Sequence, residues 1–470
     1  MQLRRTQSQQ YNSTKGRFIA WGLICAVAAI AAIKYGAKSQ QSPIVTDAAY
    51  RQALADVQKA GFTTALPVHM PPDGRNAAVI YENLTAYLKQ NPLTQDDLYD
   101  MRSFVTAPNP AQIACIRSLL KRRSTTLRLT HLAVKRPECV FQRKRGSKEL
   151  GSIEYGQIDA IREAARYLSM ESFLMATDGQ GVVSAQNLAS GFRIAQHIGS
   201  GQSILGFLEQ TGCDRTTFLG FQRIMIASHG DGRVAKVIRQ AIQDNWHQPQ
   251  LALKLRQETA SQIAFIEQSR RVGPGPSARM MNGQMVTSTR KVPEDERQRW
   301  NSLMNANGIN LLTWMPQIVA AADWPYPEAH AKEDAIAAAM DRDEPKIALS
   351  LPKVFDGEQI PQMTDHAIAH NFLVSFEDGL KTRTSDIALG TVTKTAAALF
   401  EYRAAHGAFP ATLASMGSPA PIDPFNLKPL GYRREGKGFV LYSVGPTLKF
   451  DGGKPGQELS GDEASFRYEP

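Results

Sequence analysis

Between residues 156 and 245 the apolar positions return every three or four residues, the spacing that lays one stripe along an α-helix. The pattern predicts helices over 157–178, 181–198, 202–212, 214–229 and 232–245, with Gly179, Gly199, Gly201, Gly212 and Gly230 in the linkers. Linkers this short force successive helices to pack antiparallel, as helical hairpins. A longer helix is expected over 249–270. Upstream, Thr46 or Asp47 can cap a helix that stops at Gly61, and Pro67, Pro71 and Pro72 exclude helix from 62–74. Ala78, Ile80, Tyr81, Leu84 and Leu88 then share one helix face, ended by Pro92. Thr94 with Asp96 and Asp97 opens the next helix, and Asn109-Pro110 another through Leu120. Downstream, helices are expected over 294–322, 328–341 and about 362–406, the last with a kink near Gly379 or Gly390. Near the end the period changes, and "FVLYSVG", 439–445, reads as strand.

One stretch is apolar all round. Arg4, Arg5, Lys15 and Arg17 precede an uncharged run over 18–33 that Lys34 closes. A helix over 18–37 is about 30 Å long, the thickness of a bilayer core, with Lys34 snorkelling. The expectation is an uncleaved signal anchor ahead of a cleaved signal peptide. It implies a single-pass protein of the inner (cytoplasmic) membrane with its N-terminus in the cytoplasm, its bulk extracytoplasmic, and the membrane and other envelope proteins as partners.

Charge and cysteine content narrow the classes. The 470-residue chain has a formal charge of +10, with 43% hydrophobic and 21% charged residues, the composition of a folded chain with a core. The basicity is local: residues 121–148 hold ten Lys and Arg against Glu138, and the chain outside 1–38 and 121–148 is net negative. No nucleic-acid partner is expected, because the basic stretch has Phe141 and little else for base stacking. Outside the run over 18–37 stand Cys115, Cys139 and Cys213, an odd number with no CxxC, which argues against a disulfide framework or a zinc site. One pair among the three remains open.

Three constellations bear chemistry. Arg122, Arg123, Arg143, Lys144 and Arg145 can hold a polyanion. His366 and His370 stand four apart and can present two imidazoles to a metal, which would serve a metal-assisted hydrolase if a third ligand joined them. "ASHGDGR", 227–233, brings Ser228, His229 and Asp231 together, but reads first as a helix stop at Gly230 and a helix cap at Asp231.

The final segment carries the most order. A helix ends in Tyr402-Arg403 and then Gly407-Ala408-Phe409-Pro410, followed by Asp423-Pro424-Phe425, Tyr432, Tyr442-Ser443-Val444-Gly445, and a Gly- and acid-rich loop from Asp451. In this order the segment resembles the C-terminal half of the type II secretion major pseudopilins. The Thr-Leu and Glu of a pseudopilin processing site are missing after Gly16, so the chain is not expected to be a processed pilin subunit. With Asn76-Ala77-Ala78 and Tyr81, and with Arg136-Pro137 and Cys139, the whole layout resembles a set of uncharacterised bacterial membrane-anchored helical proteins that share such a tail. The resemblance implies that Asp423 closes a turn into Pro424 and that Phe425, Tyr432, Phe439, Leu441 and Tyr442 cover the preceding helix. It also implies calcium at Asp451, Glu458 and Asp462, the alternative being a solvated acidic end.

The organisation expected is therefore a basic tail (1–17), an anchor (18–37), a helical domain (47–270), a linker (271–293), a second helical segment (294–394) and a pseudopilin-like module (395–470). The fold class is mainly α: an array of antiparallel helical hairpins after a transmembrane helix, closed by a small α+β module. The function expected is that of a non-enzymatic interaction or scaffold protein of the cell envelope with a link to secretion. The alternatives are an envelope metal-assisted hydrolase and a polyanion-binding module. No small-molecule substrate is indicated.

Overall fold

The computed structural model describes residues 44–61, 70–102, 104, 108–141, 155–200, 204–273, 279–281, 284–286, 294–343, 348–350, 362–417, 419–448 and 464–469. The chain is mainly helical. Helices α1 (Asp47–Lys59), α2 (Ala78–Gln90), α3 (Gln95–Arg102), α4 (Pro110–Arg122) and α5 (Ser124–Ala133) come first. They are followed by α6 (Tyr155–Thr177), α7 (Gly181–Leu188), α8 (Gly191–Gly199), α9 (Ile204–Ala227), α10 (Gly232–Asn245) and α11 (Leu251–Val272). The helix starts obey local chemistry. The Thr46 hydroxyl accepts from Ala49 N, Thr94 and Asp97 cap each other, and Asn109 forms a capping box with Gln112 ahead of Pro110.

Two helices differ from their expected bounds. The segment 181–198 is split at Ala189 and Ser190, where i→i+3 backbone bonds (Ser190 N to Asn187 O, Phe192 N to Ala189 O) tighten the turn, and Gly191 just beyond lets Thr217 of α9 approach so closely that no Cβ would fit. In contrast, 204–227 is one helix through Gly212: Phe207, Cys213, Phe218 and Phe221 are all buried, and packing around the helix overrides the weak propensity of one glycine.

The segment 271–293, expected as linker, holds a hairpin of β1 (Arg279–Met281) and β2 (Gln284–Val286). Helices α12 (Glu294–Ala321) and α13 (Tyr326–Arg342) follow, then β3 (Ala348–Ser350) paired antiparallel with β4 (Gln362–Thr364). Helix α14 (Ala367–His406) runs unbroken for 40 residues and ends at Gly407 in the left-handed region. Gly379 and Gly390 do not break it. They admit Leu251, and Phe218 with Trp246, against the helix backbone. Helix α14 packs on α9, α10, α11, α12 and α13, so it serves as the common spine.

A three-stranded antiparallel sheet closes the chain: β5 (Gly431–Glu435), β6 (Gly438–Tyr442) and β7 (Ser465–Tyr468), in the order β5-β6-β7. The fold is thus mainly α with a small α+β end, as expected. The anchor expected over 18–37 lies outside the described residues. Among the described residues no helix is long and apolar enough to cross a membrane. Even α14 carries Glu377, Lys381, Arg383, Asp386 and Lys394. The membrane, signal-anchor and inner-membrane assignments are corrected accordingly and are not used below.

Candidate functional site

The C-terminal module packs on the helical body and leaves a groove at the joint. Three contacts fix that joint. Past the end of α9 the chain turns through Gly230, φ +68°, and Asp231 caps α10 by accepting from Arg233 N at 2.8 Å. Arg403 of α14 donates to the freed carbonyls of His229 and Gly230 at 3.0 and 2.8 Å, and its guanidinium lies over the rings of Phe400, Phe409 and Tyr468. Arg239 of α10 meets Glu401 of α14 in a two-pronged ion pair, Nε to Oε1 at 2.6 Å and Nη2 to Oε2 at 3.1 Å, which raises the Arg239 pKa.

The groove between α10, α14 and residues 413–422 has a volume of about 770 Å³. Ile242, Trp246, Leu413, Met416, Pro421 and Ile422 form its apolar wall. Ile422 is exposed, as an unpartnered apolar side chain at a groove mouth should be. Gln243, Gln248, Thr391 and Thr395 supply polar contacts. Since Arg239 is neutralised by Glu401, the exposed Lys394 is the wall's cation that makes no ion pair among the described residues.

Trp246 also looks inward. Its ring meets Phe218 edge-on, centroids 5.4 Å apart. In the interior on this side Asp214 of α9 and Asp386 of α14 are both buried and sense each other's charge. Neither Asp386 oxygen, nor Oδ2 of Asp214, nor Trp246 Nε1 makes a hydrogen bond, although the indole N–H and Arg215 still favour the ionised form of Asp386. Burial dominates and pushes both carboxyl pKa values well up; Asp386 adds to the rise at Asp214. The folded protein therefore binds a proton here that the unfolded chain releases. The stability this contributes is full below the ordinary carboxylate range and is lost as pH rises through neutrality. Asp386→Asn is expected to raise the melting temperature in mildly alkaline buffer and to flatten its fall between pH about 4 and 8. Melting curves across that range check this, and an unchanged slope would remove the pair from the account.

The other sequence candidates fall elsewhere. Arg123 is buried on Asp97 and donates to the carbonyls of Asn91 and Pro92, while Arg122 bridges Asp97 and Asp100. Both tie the end of α4 to α3, Arg123 from inside the protein and Arg122 from the surface, where its side chain stays 40% exposed. Burial would raise the Asp97 pKa, but the Arg123 guanidinium, the backbone N–H of Thr94 and Arg122 together hold it down at about 2. Arg143, Lys144 and Arg145, and the calcium candidates Asp451, Glu458 and Asp462, lie outside the described residues.

His366 is buried, with Nε2 at 3.5 Å from Asp343 Oδ2, and its ring centroid is 6.2 Å from that of His370. Burial and the neighbouring His366 lower the His370 pKa. Among the described residues the structure brings no third ligand atom to this pair; the one group of three is His330, Glu333 and Asp334. Ser228, His229 and Asp231 form no relay. Asp231 bonds Arg233, and the buried Ser228 hydroxyl has no hydrogen-bond partner.

The two short motifs of the N-terminal half do meet. The Asn76 side chain donates to Val140 O and accepts from Val140 N, both at 2.9 Å. His197 joins Tyr81 OH at 3.1 Å to Arg136 O at 2.9 Å, and its burial lowers its pKa to about 4. A neutral histidine of α8 between a phenol and a carbonyl is a structural clasp that holds the Arg-Pro-x-Cys segment beside α2.

The groove was not visible in the sequence. Its residues come from three segments that lie up to about 180 positions apart, and each reads locally as ordinary helix or turn. Compared with protein-family models, with curated proteins and with solved structures, the chain matches none.

Proposed function

We propose that this protein is a non-enzymatic interaction protein, a scaffold whose groove between α10, α14 and the C-terminal module receives a segment of a partner protein. The observation that carries this reading is Lys394, a cation without an ion pair among the described residues, set beside the apolar wall of Trp246, Met416 and Ile422. That combination suits a short amphipathic peptide with an acidic side chain for Lys394 and an apolar one for Trp246. The ordered resemblance of 395–470 to a pseudopilin tail supports a partner from a secretion assembly.

A photo-crosslinking residue at Ile422, compared with one at the exposed Tyr99 on α3, tests the idea in the cells that make the protein. A partner captured from Ile422 alone is expected, with the crosslink mapping to a segment that contains Asp or Glu. Lys394→Glu should weaken its binding about tenfold, a loss of ~1.4 kcal/mol, without changing the melting temperature. Equal capture from both positions, or binding indifferent to Lys394→Glu, would overturn the reading.

A further inference from the structure

We propose that His330, Glu333 and Asp334 form a binding site for one divalent transition-metal ion of the zinc class. The three residues stand on α13 at positions i, i+3 and i+4, so one helix face presents them together. One ligand atom from each lies within 4.8 Å of the other two. Donors bound at about 2.0–2.2 Å from a shared zinc ion are separated by about 3–4 Å, so small side-chain adjustments close the set. One imidazole nitrogen and two carboxylates form a borderline nitrogen–oxygen donor set of the kind that selects zinc and its neighbours over calcium or magnesium.

A second observation favours a cation at this place. Glu333 is only 6% exposed, and its one polar partner among the described residues is His330 Nδ1, at 2.9 Å. Glu377 of α14 and Asp334 stand near it with like charge. Lys381, which stands near, is committed to Glu377. A buried carboxyl crowded by carboxyls, with no Lys or Arg of its own among the described residues, is costly to keep. A dication on the shared face would relieve that crowding and would displace the proton between Nδ1 and Oε2 to solvent.

The surroundings are rigid. The Tyr326 ring stacks on His330, centroids 5.6 Å apart, which fixes the imidazole one turn along α13. Tyr326 also meets Phe425 of the C-terminal module edge-on at 4.8 Å. An ion here would therefore brace α13 where the module leans on it. The inference does not rest on the groove and can fail separately from it.

The test is calorimetric titration of the full, chelator-treated chain with Zn²⁺, paired with melting curves. One ion per chain is expected, with a melting temperature that rises on addition of zinc. Asp334→Asn and His330→Ala should each lose at least tenfold in affinity and lose the zinc-dependent rise. Asp334 is exposed, so its variant tests the site without risk to the fold. No uptake by the wild-type chain at micromolar zinc would overturn the proposal. So would uptake that survives in both variants, because the ion would then sit elsewhere.

Discussion

Phe400→Ala is expected to undock the C-terminal module while the helical body stays folded. Phe400 is fully buried near the end of α14, and four rings surround it: Phe409 at 5.6 Å, Phe439 at 5.7 Å, Phe466 at 6.0 Å and Tyr468 at 4.8 Å between centroids. Edge-to-face contacts dominate, as the ring quadrupoles prefer. Truncation removes those contacts and leaves a cavity that the sheet cannot fill, because β6 is already held between two strands. The cost is ~4 kcal/mol, which corresponds to about a thousandfold shift in the balance between docked and undocked module. Hydrogen exchange reads this directly: the β6 amides should exchange about a thousandfold faster, while those of α4 and α5 keep their wild-type rates. Acceleration spread evenly over the whole chain would show that the module and body unfold together, and that Phe400 is not a local anchor.

The same residues show what local sequence does and does not carry. The helices between 155 and 245 were legible because burial on one face repeats at the helix period. The tail was legible because Gly407, Asp423-Pro424 and Gly445 mark turns by their own backbone chemistry. The helix ends at 230 and 231 were legible for the same reason. Errors came where packing overrules propensity. Gly212 continues a helix because apolar residues around it are buried, and Gly191 lies inside a helix start because Thr217 leaves no room for a Cβ. Neither neighbour is near in sequence.

The candidate site was less legible still. Arg122 and Arg123 looked available because they sit in a basic run, yet their partners Asp97 and Asp100 lie more than 20 residues upstream. Lys394 looked like one more polar position on a helix, and only the fold sets it against Trp246 and Ile422. Asp214 and Asp386 are 172 positions apart and read as unremarkable helix acids until both are found buried. A charge pattern in one dimension does not tell which charges cancel in three, and that cancellation decides what a surface can bind.

Asp423→Ala should break the turn that forms one wall of the groove. The Asp423 carboxylate is 1% exposed and accepts three hydrogen bonds: from Phe425 N at 3.0 Å and Ser443 Oγ at 2.8 Å on Oδ1, and from Val444 N at 2.7 Å on Oδ2. The first closes the turn through Pro424, and the other two tie that turn to the end of β6. The Asp423 backbone adds a bond to Lys428 O at 2.7 Å. Alanine leaves two buried N–H groups and a hydroxyl without an acceptor, at a cost of ~3 kcal/mol. Asparagine keeps one oxygen but sets an NH₂ group against Val444 N or Ser443 Oγ, so it should lose about half as much. Limited proteolysis of the three proteins should therefore rank cleavage in 419–430 as alanine first, asparagine second and wild type last. Ile422 immediately precedes this residue, so the alanine chain should also lose the crosslink placed at Ile422, although Lys394 and Trp246 are untouched. Intact crosslinking in that variant would mean that the partner reads α10 and α14 alone, and that the turn serves only to close the fold.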